Sequence, residues 1–137
     1  RALAIFRDRF GITRWRENDS DLPGGGRVCT RTVWVGAMMY EIALGHGEGM
    51  ECFSDFAPHG GDFVLKFHHF GYLVPDEESW AVLEGQLASS GLRVRKPSDI
   101  AGYVKTCFLE VPELDHLLEY ILPREGLIAR MNETPIA

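Results

Sequence analysis

Apolar positions recur along this chain in one pattern that is used twice. Leu3, Phe6 and Phe10 fall on one stripe at helical spacing, and Gly11 stops it. Trp80, Leu83 and Leu87 repeat the stripe 77 residues further on, and Gly91 stops it in turn. After each stripe comes an apolar run with one acidic residue inside it. Met38 to Leu44 encloses Glu41, and His116 to Leu122 encloses Glu119, which lies 78 residues beyond Glu41. Two copies are too few for a solenoid, so the repeat predicts two similar modules facing a shared pocket.

Alternation and chain-breaking residues place the other elements. Ile12 to Arg16 reads as extended, and Asp19 to Arg27, with its Asp-Leu-Pro-Gly-Gly-Gly run, as a loop. Val28 to Val35 and Met38 to Leu44 form a hairpin signal across Gly36. Phe63 to Val74 reads as a strand, and Pro75-Asp76-Glu77-Glu78 caps a helix running to about Ala88. Three strands follow, Leu92 to Arg95, Tyr103 to Val111 and His116 to Leu122, with a short helical pattern at Leu127 to Met131. The expected fold is α+β, a single domain over residues 1–137. Module 1 covers about 1–45, a linker about 46–62, module 2 about 63–123 and a tail 124–137. Module 2 has the order strand, helix, three strands. Module 1 has the same order without the opening strand, which leaves an edge to be covered by residues upstream of Arg1 or by a second copy in a homodimer.

Composition narrows the function classes. The chain carries 20 acidic and 14 basic residues for a net charge of −6, and no basic stripe invites a nucleic acid. No apolar run approaches the length of a membrane span. Cys29, Cys52 and Cys107 are odd in number and widely spaced, which points to a reducing, cytoplasmic setting and to core-filling thiols.

His-Phe-Gly-Tyr-Leu-Val-Pro-Asp (69–76) opening a module and Leu-Leu-Glu-Tyr-Ile (117–121) closing it resemble the vicinal oxygen chelate superfamily. That group includes glyoxalase I, methylmalonyl-CoA epimerase, extradiol dioxygenases and the bleomycin-resistance proteins. The resemblance implies paired βαβββ modules whose curved sheets enclose a cavity, with metal ligands from the first and last strands of each module. Carried onto this chain, the ligands are Glu41, His69 and Glu119, and a fourth falls upstream of Arg1. His69 is preferred to His68 because it directly precedes the Phe70-Gly71-Tyr72-Leu73 run, and strand alternation turns only one of two neighbours to the pocket.

The chemistry suits those residue types. A carboxylate buried in an apolar strand costs several kcal/mol, roughly, unless it is paired, protonated or bound to a cation. Two carboxylates and an imidazole suit a divalent ion such as Mg, Mn, Fe, Co, Ni or Zn. Open positions on that ion accept a small-molecule substrate with vicinal oxygens, and the ion stabilises the enediolate-like charge left by removal of an α-proton. Glu41 or Glu119 then serves as base, as in a lyase or isomerase of the glyoxalase I or epimerase type. The alternatives are a metal-free, ligand-sequestering protein of the bleomycin-resistance type and an extradiol-type dioxygenase.

Each residue also has a plainer reading. Glu41 could guard a sheet edge with its charge in water, and His69 could be a hydrogen-bonded core histidine. His68, Tyr72 and His116 are assigned to packing or solvent. His46-Gly47-Glu48 lacks the cysteines of a zinc deaminase, and Pro23-Gly24-Gly25-Gly26 lacks the Lys-Ser/Thr of a phosphate loop. Ser54, Asp55 and His59 lie too close in sequence to read as a triad.

Overall fold

The computed structural model describes residues 1–22, 24–55 and 61–137, so Pro23 and His59 lie outside it. It is α+β, with four helices and two sheets of three and four strands among the described residues. The chain divides into two compact units. One is Arg1–Lys66 with Glu133–Ala137, and the other is Phe67–Asn132.

The first unit contains α1 (Ala2–Phe10), β1 (Arg16–Asp21), β2 (Arg27–Val35), β3 (Met38–His46) and α2 (Glu51–Ser54). Helix α1 stops where expected because Gly11 takes a left-handed φ of 72° and its N–H turns back to the Arg7 carbonyl. Phe6 packs against Trp15 and against Tyr40 of β3, with ring centroids 5.5 and 6.4 Å apart. The strands run β1-β2-β3, all antiparallel. β1 reaches Asp21, three residues into the stretch expected to be a loop. Its acidic residues are poor strand formers alone, but they face arginines on β2: Asp19 pairs with Arg31 at 2.7 Å and Asp21 with Arg27 at 2.7 Å. Opposite charges across a ladder stabilise a strand that propensity disfavours. At the other end of β3, Gly45 lies under Phe53 of α2. A Cβ on Gly45 would come within 2.9 Å of that ring, so a larger residue there would force Phe53 to shift. The last residues return to β2, where the Trp34 and Ala137 amides donate to the Pro135 and Trp34 carbonyls.

The second unit contains β4 (His69–Leu73), α3 (Glu77–Ser90), β5 (Arg93–Ile100), β6 (Val104–Glu110), β7 (Leu117–Pro123) and α4 (Glu125–Asn132). Its strands lie in the order β4-β7-β6-β5, with β4 parallel to β7 and the other pairs antiparallel. Asp76 caps α3 by accepting the Ser79 amide at 2.7 Å, and Gly91 ends the helix in the left-handed region. The predicted stripe meets the sheet: buried Trp80, with Leu83 and Leu87, packs on Val74, Cys107, Tyr120 and Leu122. β4 is shorter than the strand expected over Phe63 to Val74. Among the described residues its only neighbour is β7, whose first residue, Leu117, stands opposite His69, and the residues before His68 find no ladder partner there. Phe63, Val64, Leu65 and Phe67 accordingly remain exposed. Among the described residues, no helix is long and apolar enough to cross a membrane.

Candidate functional site

Strand alternation sorts the second sheet into two faces. Cys107, Tyr120 and Leu122 point to α3, so Phe108, Glu119 and Ile121 point the other way. β4 adds His69 and Gly71 to that second face, with Gly71 in register with Glu119. The carboxylate of Glu119 receives one group from each flanking strand. His69 Nε2 comes from β4 to within 3.2 Å of Oε2, and the Thr106 hydroxyl donates from β6 to Oε1 at 3.0 Å. Both side chains are mostly withdrawn from solvent, with 14% of His69 and 17% of Glu119 exposed. Gly71 lies beside the pair, opposite Glu119. A Cβ there would sit 3.1 Å from Ile121 Cδ1 and 3.9 Å from the Glu119 oxygen that faces His69.

His68 joins this group although it was assigned to packing or solvent. Its Nδ1 lies 2.8 Å from Nδ1 of His69, and the edge of each ring meets Phe108. Alternation between neighbours fails here. His68 stands one residue before β4, although its carbonyl still accepts the Leu117 amide at 2.8 Å. The sequence signal was the His-His pair itself. Tyr72 stays with packing, against Tyr120 on the α3 side. His116 lies between Phe67 and Phe70 and beside Asp115.

Cys107 lies on the opposite face, packed under α3. Burial, and then the charges of Glu119 and Glu84, push its thiol up, which keeps it protonated and unreactive at neutral pH. It serves as core, as expected.

Glu41 belongs to the other unit. It lies in β3 opposite Thr32 and is exposed, so the burial cost that drew attention to both glutamates applies to Glu119 alone. The structure therefore brings His69 and Glu119 together, and Glu41 is described with its own unit. A cavity of about 540 Å³ in that unit is lined by Leu3, Arg7, Ile12, Arg14, Trp15 and Glu17, and none of the three expected ligands lines it. Its charged groups are engaged: Arg7 pairs with Asp8, Arg14 donates to the Ile136 carbonyl, and Glu17 pairs with Arg31.

The donor set can be tested for fit to a cation. Two ligands at right angles on an ion, each at a bond length near 2.1 Å, stand about 3 Å apart. The His69 Nε2 to Glu119 Oε2 separation of 3.2 Å fits that spacing. Their outer atoms are held as ligands usually are, Nδ1 by His68 and Oε1 by Thr106. Among the described residues no three His, Cys, Asp or Glu side chains gather around one ion position, so the unit by itself offers a cation two protein donors. No family model, curated protein or solved structure matches this chain.

Proposed function

We propose that this chain is a small, cytoplasmic, metal-dependent lyase or isomerase of the vicinal oxygen chelate type, working on a small molecule with oxygens on adjacent carbons. The observation that carries the proposal is the partly buried His69–Glu119 pair, at cis-ligand spacing on neighbouring parallel strands, with both outer atoms held. Glu41 is the further donor that the repeat supplies. Paired βαβββ modules around a cavity, completed in a homodimer, are the architecture this reading requires, and the strand-helix-three-strand order of the second unit supports it. A divalent ion bound there would act as a Lewis acid toward negative charge on the substrate oxygens. The chain's own part is to hold the His69 imidazole and the Glu119 carboxylate in fixed rotamers and to shield them from water. Glu119 can also take a substrate proton on a carboxylate oxygen that Thr106 keeps oriented.

Metal analysis of the purified protein, with melting temperatures recorded with and without Mg, Mn, Co, Ni and Zn, tests the proposal. A cation at a hundred times its Kd stabilises the folded state by about 2.7 kcal/mol. Wild type should gain such a shift from at least one of the five ions, and Glu119→Ala should lose it. No bound metal and no shift from any ion would sink the enzyme reading. A metal-free, ligand-sequestering protein is the second reading, favoured by the way His69, Glu119, Thr106 and His68 already satisfy one another.

A further inference from the structure

The cavity of the first unit is built from that unit's own parts: α1, residues 12–15, β1 and the returning C-terminal residues. Its volume of about 540 Å³ lies within the range of small-molecule sites. Leu3, Ile12, Trp15 and Pro135 give it apolar walls. Trp15 also has its indole N–H withdrawn from solvent with no acceptor among the described residues. The three charged residues that line the cavity are not equivalent. Arg7 is matched by Asp8 at 2.7 Å and Glu17 by Arg31 at 3.3 Å. Arg14 has no acidic partner among the described residues, and one of its terminal nitrogens donates to a neutral acceptor, the Ile136 carbonyl, at 3.0 Å. A guanidinium carries five N–H donors, so most of the Arg14 fork and its whole charge remain unmatched. The fork is nevertheless held in place. Buried Ile12 anchors the segment, its amide donating to the Phe6 carbonyl, and the Ile136 carbonyl fixes the head group.

We propose that this cavity binds a small organic carboxylate with a short apolar body, the carboxylate taking the unused N–H groups of Arg14 and the body lying against Leu3, Ile12 and Trp15. A planar carboxylate matches two parallel N–H groups of a guanidinium, which gives orientation as well as attraction. An inorganic anion suits the place less well, because it would turn further charged oxygens toward apolar walls. The site uses no metal, and His69 and Glu119 belong to the other unit.

Titration of the ¹⁵N-labelled protein with hexanoate, with no metal added, tests the proposal. 1-Hexanol and acetate serve as probes that keep only the body or only the charge. Hexanoate should shift the backbone amide signals of Ala4 and Thr13 and the Trp15 indole N–H saturably, and leave the Trp80 indole of the other unit in place. 1-Hexanol and acetate should each bind about tenfold more weakly or worse. Arg14→Gln should weaken hexanoate about 10- to 100-fold, the range for a hydrogen-bonded charge. Arg9→Gln removes the same charge from an exposed position of α1 that does not line the cavity, and should bind like wild type. Melting temperatures show that each variant is folded. The proposal falls if hexanoate gives no saturable shift at Ala4, Thr13 or Trp15, if 1-hexanol binds as well as hexanoate, or if Arg14→Gln binds like wild type. An equal loss in Arg9→Gln also overturns it, since the attraction would then belong to overall charge. The wild-type comparison of hexanoate with 1-hexanol decides the matter even where Arg14→Gln does not fold.

Discussion

β3 and β7 occupy the same place in the two halves of the repeat, and each carries one glutamate at its middle, yet the two carboxylates live in different surroundings. β7 lies between β4 and β6, and each neighbour sends one side chain to Glu119. β3 pairs with β2 and with no other strand among the described residues, and Glu41 is exposed. A repeat in sequence thus fixes a residue's place on its own strand, while the number of flanking strands decides how far that residue is withdrawn from solvent. The helices differ in the same way. α3 buries Trp80 in the core of its unit, whereas α1 buries no residue and leaves Phe10 66% exposed.

The helix contrast gives the largest expected effect. Trp80→Ala should cost about 3–5 kcal/mol, because it empties the center of the cluster formed with Val74, Cys107 and Leu122. Phe10→Ala, at the matching end of the other stripe, should stay within about 0.5 kcal/mol. Urea titrations of the two variants measure the difference. Similar losses would mean that α1 carries as much of its unit as α3 does, and the contrast would be wrong.

Next in size are the glutamates themselves. Glu119→Ala leaves the Thr106 hydroxyl and the His69 N–H without their acceptor in a largely buried place, at a cost of about 1–3 kcal/mol. Glu41→Ala removes an exposed group, and about 0.5 kcal/mol or less should be lost. Melting temperatures without added metal read this stability difference. In zinc titrations Glu119→Ala should lose the greater affinity, since its partner ligand is already in place 3.2 Å away. A larger stability loss from Glu41→Ala would reverse the assignment of which strand is better enclosed.

What could be read from sequence was whatever depends on near neighbours. The stripes at Leu3, Phe6 and Phe10 and at Trp80, Leu83 and Leu87 give helices that end at Gly11 and Gly91, because periodicity and a left-handed cap are local properties. His69 and Glu119 were named together through the repeat and the resemblance, and the register of β4 on β7 brings them within reach. The misses depend on partners distant in sequence. β1 extends to Asp21 because arginines on β2 face it, and β4 starts only at His69 because β7 starts only at Leu117. His68 was set aside by a rule that holds inside a strand, while it stands just outside one.

The smallest expected effect lies at the helix starts, where the halves differ again. α3 is capped by Asp76, whereas α1 begins after Arg1 with no side-chain cap. The hydrogen bonds that Asp76 accepts from Ser79 hold its carboxyl below the usual range. A group whose folded pKa is depressed stabilises the folded state above its unfolded pKa, near 3.9 for aspartate, and that contribution is lost as the pH falls through the folded value. Asp76→Asn keeps a capping oxygen and removes the charge. The variant should therefore melt slightly below wild type at pH 7, and the gap should begin to narrow as the pH falls past about 3.9 and close only below the lower pKa that Asp76 has in the folded protein. Melting temperatures of both proteins between neutral and acid pH provide the measurement. A gap that stays constant down to low pH would show that the cap acts through its shape and not its charge, and the electrostatic difference between the two helix starts would disappear.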